Sequence, residues 1–505
     1  MGLGLCWGSD VPQAHVYECS PHSSYPMENS SVFSLVERWL YRNSVIFDEG
    51  RREFNMATTV LSRNIFLPNF LEFEMEVTVK GYMIFPVQHT PKVTHWISNL
   101  DMVQAIFHVP LLFFYKPYGS PQPQVLKEAL SKTLVPFYPM AGRLGCDENG
   151  RFQTICNAEG VLWIEAETSS VIDYLAGFTP CSQLQNLVPA LDCSGDATSY
   201  PRFMAQVHAV ESVLELQLST LCDGTTVLHF INSWSEMARG LSQISMPPLI
   251  DRNLLRARVP PTPRFHHLEY NPPPSLLGPN NPTPSSVSVF KITQNQLNTL
   301  KAKSWEHGNK TNYSIYTILA AYIWRCATKA RGLSYDQPTR LLMPTNGRPR
   351  LHPPLPSSYL GNVIFMASSI ALSGNLQPEP FVNNLGRVHG ALARMDNEYL
   401  RSVIDYLETL PDIKAARGKP ETYQCPSLFI NNWSRLPLHD ADFGWGRPLY
   451  AGPANVVSEG KIFLLPSPTD DGSLSLVACL QTPHMKPFEE HLYQGLMSFD
   501  NKKAR

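Results

Sequence analysis

The sequence predicts a mixed α/β protein built as two halves of similar size. Three observations carry this. Strand-like and helix-like patterns alternate along most of the chain. A proline-rich stretch divides them, with 11 prolines between Pro247 and Pro284. The chain has 505 residues, too many for one compact core, so two or three domains are expected. Composition excludes several classes. With 43% hydrophobic and 17% charged residues it reads as an ordinary globular protein. A net charge of −2 offers no field for nucleic acid. No apolar run approaches 18 residues, so no membrane span is expected. The ten cysteines form no C-x-x-C pair, and H-E-x-x-H is absent, so no metal site is predicted. Without a basic and apolar leader, the cysteines read as reduced thiols of a cytoplasmic protein.

Residues 1–74 form an extension with one short helical pattern near "SVFSLVERWLYR" and no chemical motif. From Met75, "MEVTVKGYMIFP" alternates apolar and polar residues as a strand does. "VPLLFFYKP" is a second, denser β-type run. "QPQVLKEALSKTL" puts Val125, Leu126, Ala129, Leu130 and Leu134 on one helical stripe behind a starting proline. "GRFQTICNAEGVLWIEAE" reads as a hairpin turning at Asn157–Gly160. A helix over "TVLHFINSWSEMARG" stops at Gly240. Residues 246–284 read as an extended crossover linker. The second half opens with a strand, "SSVSVFKIT". Helices over "QNQLNTLKAKSW" and "SIYTILAAYIWRCATKAR" follow. Strands fit "RLLMPTN", "NVIFMASSI", "FLLPSP" and "SLSLVACLQ".

Several segments together are similar to the plant BAHD (HXXXD-type) acyltransferases, closest to the shikimate/quinate hydroxycinnamoyltransferase branch. They are "VLKEALSKTLVPFYPMAGRL", "FINSWSEMARG", "PPLIDRNLLRARVPPTPRFHHLEY", "YLGNVIF", "RLPLHDADFGWGRP" and "LPSPTDDGSLSLVACLQTPHMKPF". The resemblance runs from about Met75 to Tyr493. It implies two domains that resemble chloramphenicol acetyltransferase, residues 75–245 and 285–505, with a channel between them. It also implies a monomeric cytoplasmic enzyme without a bound cofactor. Acyl-CoA, here hydroxycinnamoyl-CoA, would be co-substrate, and a small hydroxyl or amine compound would be acceptor. In the family a histidine takes the acceptor's proton, and the freed nucleophile attacks the thioester.

The chain departs from that pattern at the catalytic position. None of its 15 histidines has an aspartate four residues later. Ser219 stands where the family has histidine, four residues before Asp223-Gly224. A serine hydroxyl is no base at neutral pH without a base of its own. The preceding strand is also about four residues shorter than the family's. An impaired or non-catalytic relative that binds CoA thioester, or an error of the gene model, is therefore a second reading. His229 is expected to pack rather than act.

The remaining site expectations follow from the resemblance. Asp223 turns from the channel and pairs with a basic residue, Arg348 being the choice. Gly224 leaves room for a cofactor arm, or simply makes a tight turn. Asp442 holds its loop through a salt bridge. The Trp445 indole N–H either donates to a developing oxyanion or packs in the core. On the acceptor side, "HVPLLFFY" holds His108, Val109, Leu111 and Phe113 where the branch usually has H-T-P-S-V-Y-F-Y. "GRPRLHPPLP" supplies Arg348 and His352. Loss of three hydroxyls and an arginine disfavours a carboxylated polyol, unless these positions are strand core. For CoA, Lys301, Lys303 and Ser314 are the choices, against the commoner role of helix lysines as solvated surface.

Overall fold

The computed structural model describes residues 63–67, 70–75, 77–103, 108–116, 122–168, 200–208, 213–219, 222–277, 283–454, 456, 458–469 and 471–497. The helical pattern near "SVFSLVERWLYR" lies outside them. The strands of the first half are β1 (Arg63–Leu67), β2 (Phe70–Met75), β3 (Val77–Ile84), β4 (Thr94–Trp96), β5 (His108–Phe114), β6 (Arg143–Cys146), β7 (Phe152–Ile155), β8 (Val161–Thr168), β9 (Phe203–His208) and β10 (Val213–Ser219). Those of the second half are β11 (Ser285–Ile292), β12 (Pro338–Asn346), β13 (Ile364–Leu372), β14 (Leu428–Asn432), β15 (Tyr450–Pro453), β16 (Lys461–Pro466) and β17 (Leu474–Gln481).

Among the described residues two six-stranded sheets dominate. The first runs β15-β5-β10-β9-β8-β3, the second β11-β17-β16-β14-β12-β13. Strand β15 comes from the second half of the sequence yet pairs antiparallel with β5. The second half thus supplies an edge strand to the first sheet. β1 and β2 make a separate two-stranded ribbon.

Alternation decides which face of the first sheet is core. β10 reads VLELQLS, and its residues 214, 216 and 218 share one parity of the ladder while 215, 217 and 219 share the other. The first parity is traceable across the sheet. Leu216 is opposite Leu111 on one side and Ala205 on the other, and Ala205 is opposite Trp163. Trp163 packs edge-on to Trp234 of the helix Gly224–Ala238, at 6.1 Å. That face therefore lies under the helix. The opposite face turns to the second sheet, because a Cβ on Gly452, the partner of Leu112, would lie 3.1 Å from Leu465 Cδ1. The other side of the second sheet carries the larger core, built on the helices Ile315–Ala330 and Thr482–Leu496.

The expected hairpin at Asn157–Gly160 is not formed. β7 pairs with β6 and β4, while β8 pairs with β3 and β9. The hairpin lies one turn earlier, where Asp147 accepts from the amides of Asn149 and Arg151 and Gly150 has φ +73°. Residues 157–160 instead carry the chain from one sheet to another. The thiol expectation also needs correction: Cys146 is disulfide-bonded. Cys156, Cys222, Cys326, Cys425 and Cys479 are free.

The proline-rich linker is fixed by side chains of the helix Asn397–Thr409. Asp405 accepts from Arg258 N, Arg258 Nε and Thr262 N. Ser402 Oγ accepts from the amides of Arg264 and Phe265, so its own proton goes to His267 Nε2, 2.9 Å away. His267 Nδ1 then donates to Glu269, at 3.1 Å. This Ser–His–Glu chain has the distances of a hydrolytic triad. Ser402 is fully buried and His267 2% exposed, so no substrate reaches it, and it serves as a clamp on the linker.

Candidate functional site

The site is organised around the helix Gly224–Ala238. Asp223 is its N-cap and accepts from Thr226 N at 3.0 Å, as an N-terminal carboxylate should. The same carboxylate binds Arg348 in a two-point ion pair, Nη1 to Oδ2 at 2.5 Å and Nη2 to Oδ1 at 3.0 Å. It also accepts from Val363 N at 3.0 Å. The Arg348 Nη2 group further donates to Thr226 Oγ1 and to the carbonyls of Tyr359 and Gly361. Asp223 is 6% and Arg348 2% exposed, so the pair is desolvated and its hydrogen bonds largely satisfied. The expectation for Asp223 is met. Arg348 as a substrate contact is not: its guanidinium is spent on the loop. Gly224 approaches Leu436, whose Cδ1 would be 3.1 Å from an added Cβ.

A second buried pair braces the same loop from behind. Arg252 Nη1 donates to Asp101 Oδ2 at 2.8 Å, and Asp101 Oδ1 accepts from Asn362 N at 3.0 Å. Sequence reading missed both Asp101 and Arg252. The signal available was "LIDRNLL" in the linker, a charged pair within an apolar run. Cys222, just before Asp223, has its Sγ 4.0 Å from Met140 Sδ, and burial raises its thiol pKa. The turn Tyr138–Ala141 that carries Met140 also brings Tyr138 to His95 Nε2, at 2.9 Å. Burial lowers the His95 pKa, with help from Arg252 and Arg202, so the ring is neutral at pH 7. His229 packs edge-on to Phe137 and bonds the Met246 carbonyl at 2.8 Å, the packing role expected of it.

Ser219 ends β10 and lies directly opposite His108, which begins β5. Both therefore sit at the end of the sheet nearest the Asp223 loop. The acceptor-side expectation for Leu111 and Phe113 is corrected by parity. They are 4% and 0% exposed and lie on the face under the helix, where apolar strand core is required. Val109 occupies a position of that same face. His352 is exposed, its backbone N–H bound to Asn397 Oδ1, and no contact joins it to the Asp223 loop.

The Asp442–Gly446 segment lies at the other end of the helix. Phe443 packs on Trp234 at 4.7 Å, and Arg239, the helix C-cap, donates to the Asp442 carbonyl. Arg239 is 16 positions beyond Asp223, about 24 Å at 1.5 Å per residue. Trp445 packs edge-on to Tyr115 at 5.1 Å. Tyr115 is seven positions from His108, again about 23 Å along a strand. Trp445 thus lies toward the far end of both the helix and β5 from Asp223, where it is part-buried and packs on Tyr115 and Phe443. Asp442 is corrected as well. Its carboxylate makes no salt bridge among the described residues; Oδ1 accepts from the amides of Gly444 and Gly446, at 2.8 and 2.9 Å. Those glycines have φ of +100° and +84°, which a side chain would resist.

The CoA expectations fare unevenly. Ser314 is the N-cap of the helix Ile315–Ala330 and accepts from Thr317 N at 3.0 Å. Lys303 Nζ donates to the Gly495 carbonyl, which closes a helix C-terminus, so it is corrected to a packing role. Lys301 is exposed. A cavity of about 260 Å³ lies beside the first turn of the helix Ile315–Ala330, lined in part by Gln294, Ile315, Tyr316, Ser434 and the exposed Arg435 but not by Ser314. No group of three or more His, Cys, Asp or Glu suited to a metal occurs among the described residues. No helix among them is long and apolar enough to cross a membrane.

Comparison with known proteins now decides the family. The model of the Transferase family matches residues 74–495. The chain belongs to the Transferase family. The tobacco (Nicotiana tabacum) shikimate O-hydroxycinnamoyltransferase is 50% identical over 434 residues, covering 83% of this chain and all of that protein. An oat (Avena sativa) hydroxycinnamoyl-CoA:5-hydroxyanthranilate N-hydroxycinnamoyltransferase is 42% identical, covering 82% of this chain and 99% of the oat protein. In three dimensions this member of the Transferase family resembles vinorine synthase, with TM-score 0.64 at 21% identity over 83% of this chain and 98% of that one. It also resembles F. sporotrichioides TRI101 complexed with coenzyme A and T-2, TM-score 0.64 at 18% identity over 79% and 97% of the two chains. The fold is therefore that of the BAHD acyltransferases, and the chain is an acyl-transferring enzyme that uses acyl-CoA as co-substrate.

Proposed function

We propose that this protein transfers a hydroxycinnamoyl group from CoA to a hydroxyl or amine of a small acceptor. The observation that carries the reading is the likeness to hydroxycinnamoyl transferases along their whole length, joined to an Asp223–Arg348 clamp that fixes the loop after Ser219. The relatives span O- and N-acceptors, and with Leu111 and Phe113 in the strand core neither acceptor class is favoured. In this reading residues 75–245 and 285–505 are the two acyltransferase domains. The CoA arm enters near Ser314 and Lys301, and Arg435 at the cavity is the added candidate for a phosphate. The step needs no covalent enzyme intermediate: acceptor O–H or N–H loses its proton, its lone pair attacks the thioester carbonyl, and CoA thiolate leaves. The test is incubation with p-coumaroyl-CoA and a panel of hydroxyl and amine acceptors, reading free CoA thiol and the mass of the ester or amide. Acyl product with at least one acceptor is expected. Absence of product with every acceptor, together with no thermal stabilisation by CoA at millimolar concentration, overturns the reading.

A further inference from the structure

Residues 359–363 form a strap beside the motif loop, and side chains from separate parts of the chain hold its backbone. The Val363 amide donates to Asp223 Oδ2 at 3.0 Å. The Gly361 carbonyl accepts from Arg348 Nη2 at 3.0 Å and from Thr226 Oγ1 at 2.9 Å. The neighbouring amide, Asn362 N, instead donates to Asp101 Oδ1 at 3.0 Å. Two adjacent amides thus answer two different carboxylates, and each carboxylate carries its own buried arginine.

The proline-rich linker reaches the same strap. Leu249 N donates to the Ser358 carbonyl at 2.9 Å, and Leu360 N to the Leu249 carbonyl at 2.8 Å. Shortly after, Arg252 turns inward and its Nη1 donates to Asp101 Oδ2 at 2.8 Å. Asp101 is fully buried and Arg252 is 5% exposed. Gly361 permits the approach, because a Cβ there would lie 2.7 Å from Arg252 Nη1 and 2.8 Å from Tyr359 Cε1. The start of the linker is therefore joined to the strap, whereas Arg258 to Phe265 are held separately by Asp405 and Ser402. A strap held between two desolvated ion pairs has little freedom, since releasing either pair leaves a buried charge unanswered. Any shift of the strap carries the Val363 amide with it, and that amide bears on the carboxylate capping the helix Gly224–Ala238.

We propose that Arg252 and Asp101 are positioning residues for acyl transfer: the linker arginine, through Asp101, sets the strap against which Asp223 and its loop are registered. This rests on the acyltransferase reading above, in which the Asp223 loop borders the reacting thioester. Neither residue touches substrate. Both act through the backbone of residues 361–363, where a misplacement of about 1 Å can cost about 100-fold in rate.

The test compares wild type with Arg252→Met, Arg252→Lys, Asp101→Asn and Asp405→Asn, using p-coumaroyl-CoA and the best acceptor. Each variant is assayed at a temperature where circular dichroism shows it folded. Arg252→Met and Asp101→Asn are expected to lower kcat by about 10- to 100-fold, with KM for the donor changed by less than about threefold. Arg252→Lys should stay near wild type, because Arg252 meets Asp101 through one nitrogen and an ammonium supplies one. Asp405→Asn loosens the linker farther along, and should lower thermal stability without lowering kcat. Hydrogen exchange gives a readout apart from turnover: the Val363 amide should exchange faster in Arg252→Met and at the wild-type rate in Asp405→Asn. Should Arg252→Met fail to fold, Gly361→Ala takes its place, since its Cβ displaces the guanidinium from Asp101 with both charges kept; the same loss of kcat is expected. A kcat within about threefold of wild type in the folded variant overturns this inference and leaves the acyltransferase reading standing. So does an equal loss of kcat in Asp405→Asn. If wild type makes no acyl product with any acceptor, the acyltransferase reading fails and the claim on turnover fails with it.

Discussion

The two ends of the helix Gly224–Ala238 hold two aspartate-containing loops by different physics. At the N-terminal end, Asp223 is buried and answered by a buried arginine from the other half of the chain, three backbone or hydroxyl acceptors completing the web. At the C-terminal end, Asp442 is half-exposed and answered only by amides of its own loop, while the loop's aromatics pack on Trp234 and Tyr115. The first is an ion pair that ties the halves together. The second is a loop that folds on itself and then docks. Similar-looking aspartates in a sequence can therefore carry very different energetic weight, set by burial and by what answers the charge.

Breaking the N-terminal end should have the largest effect. Arg348→Met leaves Asp223 buried without its cation, and a loss of about 3–5 kcal/mol is expected. Thermal unfolding with Asp223→Asn/Arg348→Met as the double variant sharpens the point. The double should recover part of the loss, because no uncompensated charge remains. If both single variants unfold within a degree or two of wild type, the clamp is not a principal tie between the halves.

The C-terminal end should cost less. Asp442→Ala removes an acceptor for two amides, with an expected loss of about 1–3 kcal/mol. Asp442→Asn keeps an Oδ1 acceptor and should lose less than half of that. Because this loop docks toward the other end of the helix from Asp223, kcat at a temperature where the variant is folded should stay near wild type. A selective kcat collapse in folded Asp442→Ala would return this loop to the catalytic centre.

Lys461 offers a third case, a largely buried cation with no carboxylate answering it among the described residues. Its ammonium lies 4.5 Å over the Tyr423 ring, and burial holds its pKa down to about 8. The folded pKa is below that of the unfolded chain, so between about pH 8 and 10.5 unfolding takes up a proton. Stability from this residue therefore rises as pH increases through that window and is lowest below pH 8. Lys461→Met should stabilise the protein at pH 7 by on the order of 1–2 kcal/mol. The advantage should shrink as pH is raised toward 10.5, measured by denaturant unfolding at several pH values. A pH-independent difference would mean that the lysine is solvated. The smallest effect is expected at Lys301, which is exposed on its helix: Lys301→Ala should change stability by under about 0.5 kcal/mol. Its effect on KM for acyl-CoA then tests its proposed place on the CoA path without a stability complication.

Much was legible before any coordinates. Alternation in "MEVTVKGYMIFP", the helix after Asp223 and the proline-rich break at 247–284 each express a local rule, since strand parity, helix stripes and proline all act within a few residues. Family membership was legible for the same reason, as its motifs are contiguous strings. Even the Asp223–Arg348 pair could be named from those strings. The tertiary structure decided what depends on distant partners. Whether 157–160 is a hairpin turn or a crossing between sheets depends on which strands claim β7 and β8, and that competition is global. The role of Trp445 could not be read because nothing local tells which end of a 15-residue helix a later loop will meet. The sequence leaves Leu111 and Phe113 open between acceptor side and strand core, because a strand fixes two faces but not which of them becomes core. The registers of β5 with β10 and β15 made that choice, and the same registers brought His108 opposite Ser219, a juxtaposition of residues 111 positions apart that no spacing rule in the sequence contains.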